Sequence, residues 1–194
     1  MREEFDALGI PDFDDRGRVT DEYIAAYKEL WTSDAPAFDG KHVKFGNITF
    51  LPRPAQAGGP PIWVGGESAP ALRRVAKLGD AWFPILNNPR FPMNTVARFR
   101  KRLARMHEIA GEHGRDPAEI GLAIFAIQYS NRPSQDPETG ERELLTGPNE
   151  AIVEDLQQLA EIGVTDVVLN FHRSTMEKTL EGMRNFVENI APKV

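Results

Sequence analysis

The run PPIWVGGESAPALRRVAKLGDAW, Pro60 to Trp82, decides how the rest of the chain is read. It opens on an extended apolar stretch, Ile62-Trp63-Val64, and breaks at Gly65-Gly66. An alanine- and leucine-rich segment follows with helical periodicity through Ala71, Leu72, Val75, Ala76 and Leu78, stopped by Gly79. A second apolar run then begins at Ala81-Trp82-Phe83. This order predicts strand, tight turn, helix and strand, the unit from which parallel sheets are built. Ser68 is the expected N-cap, with Pro70 in the first turn. Without side chains, Gly65 and Gly66 let a ligand approach the backbone, and the helix dipole adds positive potential at the same place. The pattern is neither GxGxxG nor a P-loop. Two readings therefore stay open on spacing alone: a phosphate cradle, or a turn that only reverses the chain.

The bulk properties bound the function. With 194 residues, 41% hydrophobic and 27% charged, the expectation is one globular domain, 1–194, with a real core. A net charge of -6 excludes a broad nucleic-acid surface, which needs a basic surplus. The absence of cysteine removes disulfides, thiolate nucleophiles and Cys-based metal sites. His42, His107, His113 and His172 lie far apart, so no metal site is expected. No signal peptide and no bilayer-spanning apolar run is visible, which makes a cytoplasmic location the expectation and a membrane partner unexpected.

Working outward, Met1 to Gly9 reads as helical turns and Ile10 to Arg18 as a turn-rich connection. A helix capped by Thr20 or Asp21 then runs to about Trp31, with Tyr23, Ile24, Tyr27, Leu30 and Trp31 as its buried stripe. Val43-Lys44-Phe45 and Ile48-Thr49-Phe50 around Gly46-Asn47 predict a small β-hairpin excursion. Beyond the central unit, a basic amphipathic helix spans Asn94 to about His113, its arginines and lysine forming a solvated outer face. Gly121 to Ile127 reads as a buried parallel strand. Asn131 to Pro148 reads as a long polar surface loop. Asn149 to Ile162 is a helix closed by Gly163, Asp166 to Phe171 a strand, and a last helix is capped by Ser174. Strand and helix alternate about four times, which predicts a parallel α/β arrangement.

REEFDALG, the Arg16–Trp31 stretch RGRVTDEYIAAYKELW, the PRPAQ…PPIWVGGES…ALRRVAKLGDAW run and the late GRDPAEI together resemble the luciferase-like monooxygenase superfamily, with the coenzyme F420-dependent oxidoreductases as the nearest branch. The resemblance spans nearly the whole chain. It implies an α/β fold of (β/α)8 TIM-barrel type, with FMN or F420 held at the C-terminal ends of the strands. It also implies that the WVGG turn contacts the cofactor phosphate, which points to Val64, Gly65, Gly66, Glu67 and Ser68 and favours the cradle over the plain turn. The expected cofactor is F420, with FMN the alternative, and the expected substrate a small organic molecule.

A complete barrel takes about 250 residues; about four strand–helix units are found here, resembling the second half of the family barrel. The first four strands of the family barrel, which the resemblance implies carry most of the flavin-ring pocket, have no counterpart here, and no residue receives a catalytic assignment. Arg2, Glu3 and Glu4 fall near the cofactor phosphates by position only. Glu67, Asn170 and His172, at or just past strand ends, are candidates to line a substrate pocket, although a hydrogen-bonded loop histidine is the plainer account of His172. The missing half is explained by a fragment, by a short chain that forms a homo-oligomer or joins an N-terminal half to close a barrel, or by a folded relic without activity. The chemistry expected of the parent is hydride transfer between F420 and substrate. FMN-dependent monooxygenation and non-catalytic cofactor binding or subunit interaction are the rivals. A Schiff-base barrel enzyme ranks last, since neither Lys44 nor Lys77 sits at a strand end.

Overall fold

A computed structural model describes residues 1–10 and 13–194. Pro11 and Asp12, which fall within the expected Ile10–Arg18 connection, lie outside the described residues. The chain divides into two compact units, Met1–Ile62 and Trp63–Val194.

In the first unit, helix α1 (Arg2–Ala7) and a 3-10 turn at Phe13–Asp15 precede helix α2 (Arg16–Thr32). Helix α2 begins at Arg16, ahead of the expected cap. Thr20 is interior, its hydroxyl donating back to the Arg16 carbonyl at 2.8 Å. The expected buried stripe is also only partly buried. Ile24 and Ala26 are inside, while Tyr23 and Tyr27 are 44% and 47% exposed. Trp31 is half-buried and stacks on Tyr27 at 5.8 Å.

The hairpin is real but one strand earlier than expected. Strands β1 (Phe38–Asp39) and β2 (Lys44–Phe45) pair antiparallel, and residues 48–50 form no strand. The cause is Glu22 on α2, whose carboxylate accepts the backbone N–H groups of Lys41, His42 and Val43 at 2.8, 2.6 and 2.9 Å. That carboxylate folds the turn over itself. A Cβ on Gly40 would stand 2.5 Å from Glu22 Oε2, so only glycine fits there.

The second unit holds a four-stranded sheet in the order β3 (Trp63–Gly65), β4 (Ala81–Phe83), β5 (Gly121–Ala126), β6 (Val164–Leu169). All three pairings are parallel. Neighbours in sequence are neighbours in the sheet, with helices α3 (Ala69–Leu78), α4 (Val96–Glu112) and α5 (Asn149–Ile162) as crossovers. This is the parallel α/β arrangement the alternation predicts. Helix α6 (Met176–Asn189) follows β6, capped by Thr175 rather than by Ser174.

The two faces of the sheet differ. On the helix side, Val64, Trp82, Leu122 and Ile124 are buried with Leu72, Val75, Ala76, Phe99 and Leu159 of the helices. Trp82 stacks on Phe99 at 6.0 Å and 7°. The opposite face carries an aromatic ladder, Trp63 to Phe83 at 5.4 Å and Phe83 to Phe125 at 6.2 Å. That face stays open, with Trp63, Ile127 and Val168 each at least 40% exposed. A bulge between Leu122 and Ala123 shifts the β5–β6 register so that Leu122 faces Val164 and Ala123 faces Asp166.

The 131–147 segment is a built structure rather than the simple polar surface loop its composition suggests. Leu144, Leu145 and Thr146 are buried, and two carboxylates anchor the segment to helices. Asp136 accepts from Asn94 at 2.8 Å and from Arg98 at 2.7 Å at the start of α4. Asp155 on α5 forms a two-point pair with Arg142, each contact 2.7 Å. The Asn94 amide above all, with the backbone N–H groups of Thr139 and Glu138, holds the Asp136 carboxyl down to about 2 against the opposing effect of burial. A carboxyl whose pKa is depressed in the folded state stabilises above its unfolded value and loses that contribution as pH falls. Between pH of about 3.8 and about 2, the urea midpoint of the wild type should therefore fall more steeply than that of Asp136→Asn. Equal slopes for the two proteins would remove Asp136 from the acid limb.

Candidate functional site

The C-terminal ends of β3 and β4 and the start of α3 form the site that the glycine turn marks. Ser68 caps α3, its hydroxyl accepting the Ala71 N–H at 3.4 Å, and Pro70 sits in the first turn. Gly66 adopts φ +100°, and a Cβ there would lie 3.0 Å from the Ala71 Cβ. Both facts favour glycine, which reaches left-handed backbone without a Cβ penalty. Gly65 pairs in register with Phe83 on the open, aromatic face of the sheet. Val64 is buried on the helix side. The turn is fastened from below by Trp82, whose indole N–H donates to the Gly66 carbonyl at 3.0 Å.

Glu67 is 4% exposed and turned inward. One carboxylate oxygen accepts the Ile85 N–H at 2.8 Å and the other accepts the Asn88 side-chain amide. Its charge is thus committed to tying the turn to the segment after β4. What the turn offers outward is backbone, hydroxyl and the N-terminal end of α3, a combination suited to an anion. The residues present fit a phosphate: the one acid in the turn points away, and the two glycines leave the backbone uncovered.

The candidates that follow β6 do not join this site. Asn170 and His172 follow β6, with Asn170 Oδ1 accepting the His172 N–H at 2.9 Å, and the His172 side chain is exposed. Two residues not singled out by sequence stand in that region. Arg173 donates to the carbonyls of Asn170, His172 and Tyr129 at 3.3, 2.8 and 2.9 Å. Tyr129 packs edge-on to Phe171 and Phe186 at 5.0 and 6.1 Å. Its hydroxyl is buried without a hydrogen-bond partner among the described residues, and burial pushes its pKa up. A buried hydroxyl without a partner costs about 1–3 kcal/mol. Tyr129→Phe should consequently stabilise the chain by about 1 kcal/mol in urea unfolding; a loss of stability would show that the hydroxyl is satisfied. Among the described residues, no cluster of three or more His, Cys, Asp or Glu could hold a metal ion, and no helix is long and apolar enough to cross a membrane.

The family model for luciferase-like monooxygenases matches residues 2–136. The chain belongs to the luciferase-like monooxygenase family. It is 37% identical over 126 residues to an FMNH(2)-dependent dimethylsulfone monooxygenase of Pseudomonas putida, a match covering 64% of this chain and 32% of that protein. The fold superposes on the monooxygenase RslO1 of Streptomyces bottropensis with TM-score 0.71 at 19% identity, covering 98% of this chain and 65% of that one. An F420-dependent secondary alcohol dehydrogenase, solved with an F420-acetone adduct, superposes with TM-score 0.64 at 18% identity, covering 95% and 63%. The chain thus spans less than two thirds of the length of each of these proteins. The family fold is a barrel; the described sheet has four strands.

Proposed function

We propose that this chain is part of a flavin-class oxidoreductase and that its Gly65–Ser68 turn holds the cofactor phosphate. The observation that carries the reading is the turn itself. Gly65 and Gly66 leave the backbone bare at the start of a capped helix, while Glu67 is withdrawn onto Ile85 and Asn88. FMN and F420 both present a phosphate on a ribityl chain, so the same turn suits either. F420 is the expectation from sequence and is supported by the F420-dependent structural neighbour; the FMNH(2)-dependent relative supports FMN.

Bound there, either cofactor supplies two-electron redox chemistry toward a small organic substrate. The chain's own contribution is binding and orientation. Val64 and Trp82 anchor the turn, Ser68 fixes the first turn of α3, and its dipole attracts the anion. Trp63, Phe83 and Phe125 offer an apolar ledge on the side of the sheet where Gly65 lies, on which a flat ring system can rest.

The test is a titration of the purified chain with FMN and with F420, followed by fluorescence beside light scattering for mass. Saturable binding of one cofactor, weakened in Ser68→Ala, is expected. Absence of binding of both up to roughly millimolar concentration, which corresponds to about -4 kcal/mol, would overturn the reading for this chain.

A further inference from the structure

A cavity of about 730 Å³ opens between the loop after β5, the loop after β6 and helix α6, two strands along the sheet from the glycine turn. The phosphate reading makes no use of it. Its volume lies within the range of small-molecule sites, and it stands at the C-terminal ends of the strands, where ligands of parallel α/β folds bind.

The lining has one dominant chemistry. Arg132, Arg173 and Lys178 line it, with Glu181 as the one acid among the described lining residues, in a chain whose net charge is -6. The Arg173 guanidinium is held in place by its three carbonyl acceptors. The Arg132 and Lys178 side chains make no ion pair among the described residues, so their charges are uncommitted. Ser130 and Ser174 add hydroxyl groups at the rim. An amide chain fixes one wall: Asn131 donates to Asn149 at 3.0 Å, and Asn149 and Asn185 exchange hydrogen bonds at 3.1 and 2.9 Å.

Helix α6 contributes to the same opening. Lys178, Glu181, Gly182 and Asn185 form one stripe at helical spacing, and all four line the cavity. Glycine inside a helix costs stability relative to alanine. Packing does not demand it here, since a Cβ on Gly182 would meet nothing closer than 3.8 Å. Its effect is to leave the cavity wall low between two polar side chains.

We propose that this cleft binds the oxyanion end of a small organic anion, a phosphate or a carboxylate, at a site separate from the glycine turn. Arginine and lysine with hydroxyl and amide donors form the donor set that such a group needs. The proposal does not rest on the cofactor reading.

Calorimetric titration of the full chain at low ionic strength with inorganic phosphate, and separately with succinate, tests it. Saturable binding of at least one probe is expected, weakened tenfold or more in the double variant Arg132→Ala/Lys178→Ala. The probe that binds more tightly distinguishes a phosphate from a carboxylate ligand. Lys101→Ala, which removes a charge from the exposed face of α4, should leave the affinity unchanged. Absence of saturable binding of both probes, or an equal loss in Lys101→Ala, would overturn the proposal. So would phosphate binding that survives the double variant but is lost in Ser68→Ala, a result that would leave the cofactor-phosphate reading standing. Failure of FMN and F420 to bind while the cleft retains its anion would leave this proposal intact and remove only the other.

Discussion

Glu67→Ala is expected to destabilise the chain by about 3 kcal/mol, the upper end of the range for leaving buried hydrogen-bond donors unsatisfied, read as a shift in urea midpoint. The carboxylate is buried and bonded to the Ile85 N–H and the Asn88 amide. Removing it strands a backbone donor and leaves a void beneath the glycine turn. Glu67→Gln separates the two contributions of the residue. It retains one acceptor oxygen for Ile85 but places an amide donor opposite the amide of Asn88, so an intermediate loss is expected. Cofactor binding provides the second readout. If Glu67 positions the turn, both substitutions should weaken cofactor binding at temperatures where the chain is still folded. Unchanged stability in Glu67→Ala would mean that the turn is held by Trp82 and Ser68 alone.

That role was not visible in the sequence, although the turn itself was. The strand, the glycine break, the Ser68 cap and the helix to Leu78 are local features, set by apolar period, propensity and capping chemistry. Gly65, Gly66 and Ser68 were legible from local chemistry, while Val64 and Glu67 joined them as phosphate contacts only through the family resemblance. The inward direction of Glu67 depends on Ile85 and Asn88, which reach it only after the chain has crossed over and returned as β4. The same distinction separates the other successes and failures. Gly163 closes α5 in the left-handed region as a terminal glycine should, and the parallel order of the strands follows from alternation. The hairpin was placed one strand late because its turn is fixed by Glu22, a side chain on α2. The last cap was missed by one residue, since Ser174 and Thr175 are adjacent hydroxyls with equal claim and only the structure gives the bond to the Lys178 N–H to Thr175.

The exposed face of α2 carries a related lesson. Tyr23, Tyr27 and Trp31 have the spacing of a buried stripe, yet Tyr27 stacks on Trp31 and meets Tyr23 at a tilt, with both tyrosines nearly half exposed. Periodicity reports that residues share a face, not what covers it. Aromatic side chains can gain from mutual stacking while remaining at the surface. Trp31 also lies against Gly59, where a Cβ would come within 2.2 Å of the indole. This contact within the first unit gives one glycine of the Gly58-Gly59 pair a packing reason, beyond the punctuation that composition alone suggests.

Asp155→Ala should cost about 3 kcal/mol, the scale on which removing one partner of a buried, hydrogen-bonded ion pair acts. Asp155 is 3% exposed, and it accepts from three donors: both arms of Arg142 and the Leu145 N–H, each at 2.7 Å. Leu145 adopts φ +60°, a conformation that an L-residue avoids unless its surroundings impose it. The Asp155 carboxylate supplies that constraint by taking the Leu145 amide directly, while Arg142 closes the same corner by donating to the Thr146 carbonyl at 2.6 Å. Loss of the carboxylate therefore removes an ion pair and the reason for a strained residue together. The 131–147 segment should respond as a unit, with backbone amides from Ser134 to Thr146 losing protection in hydrogen exchange while those of β3 and α3 keep theirs. Arg142→Ala should cost at least as much, because it leaves the buried Asp155 carboxylate without its counter-charge and removes the donor to the Thr146 carbonyl. If Asp155→Ala left exchange in this segment unchanged, the segment would be held by the Asp136 anchor alone, and the two anchors would not share its stability.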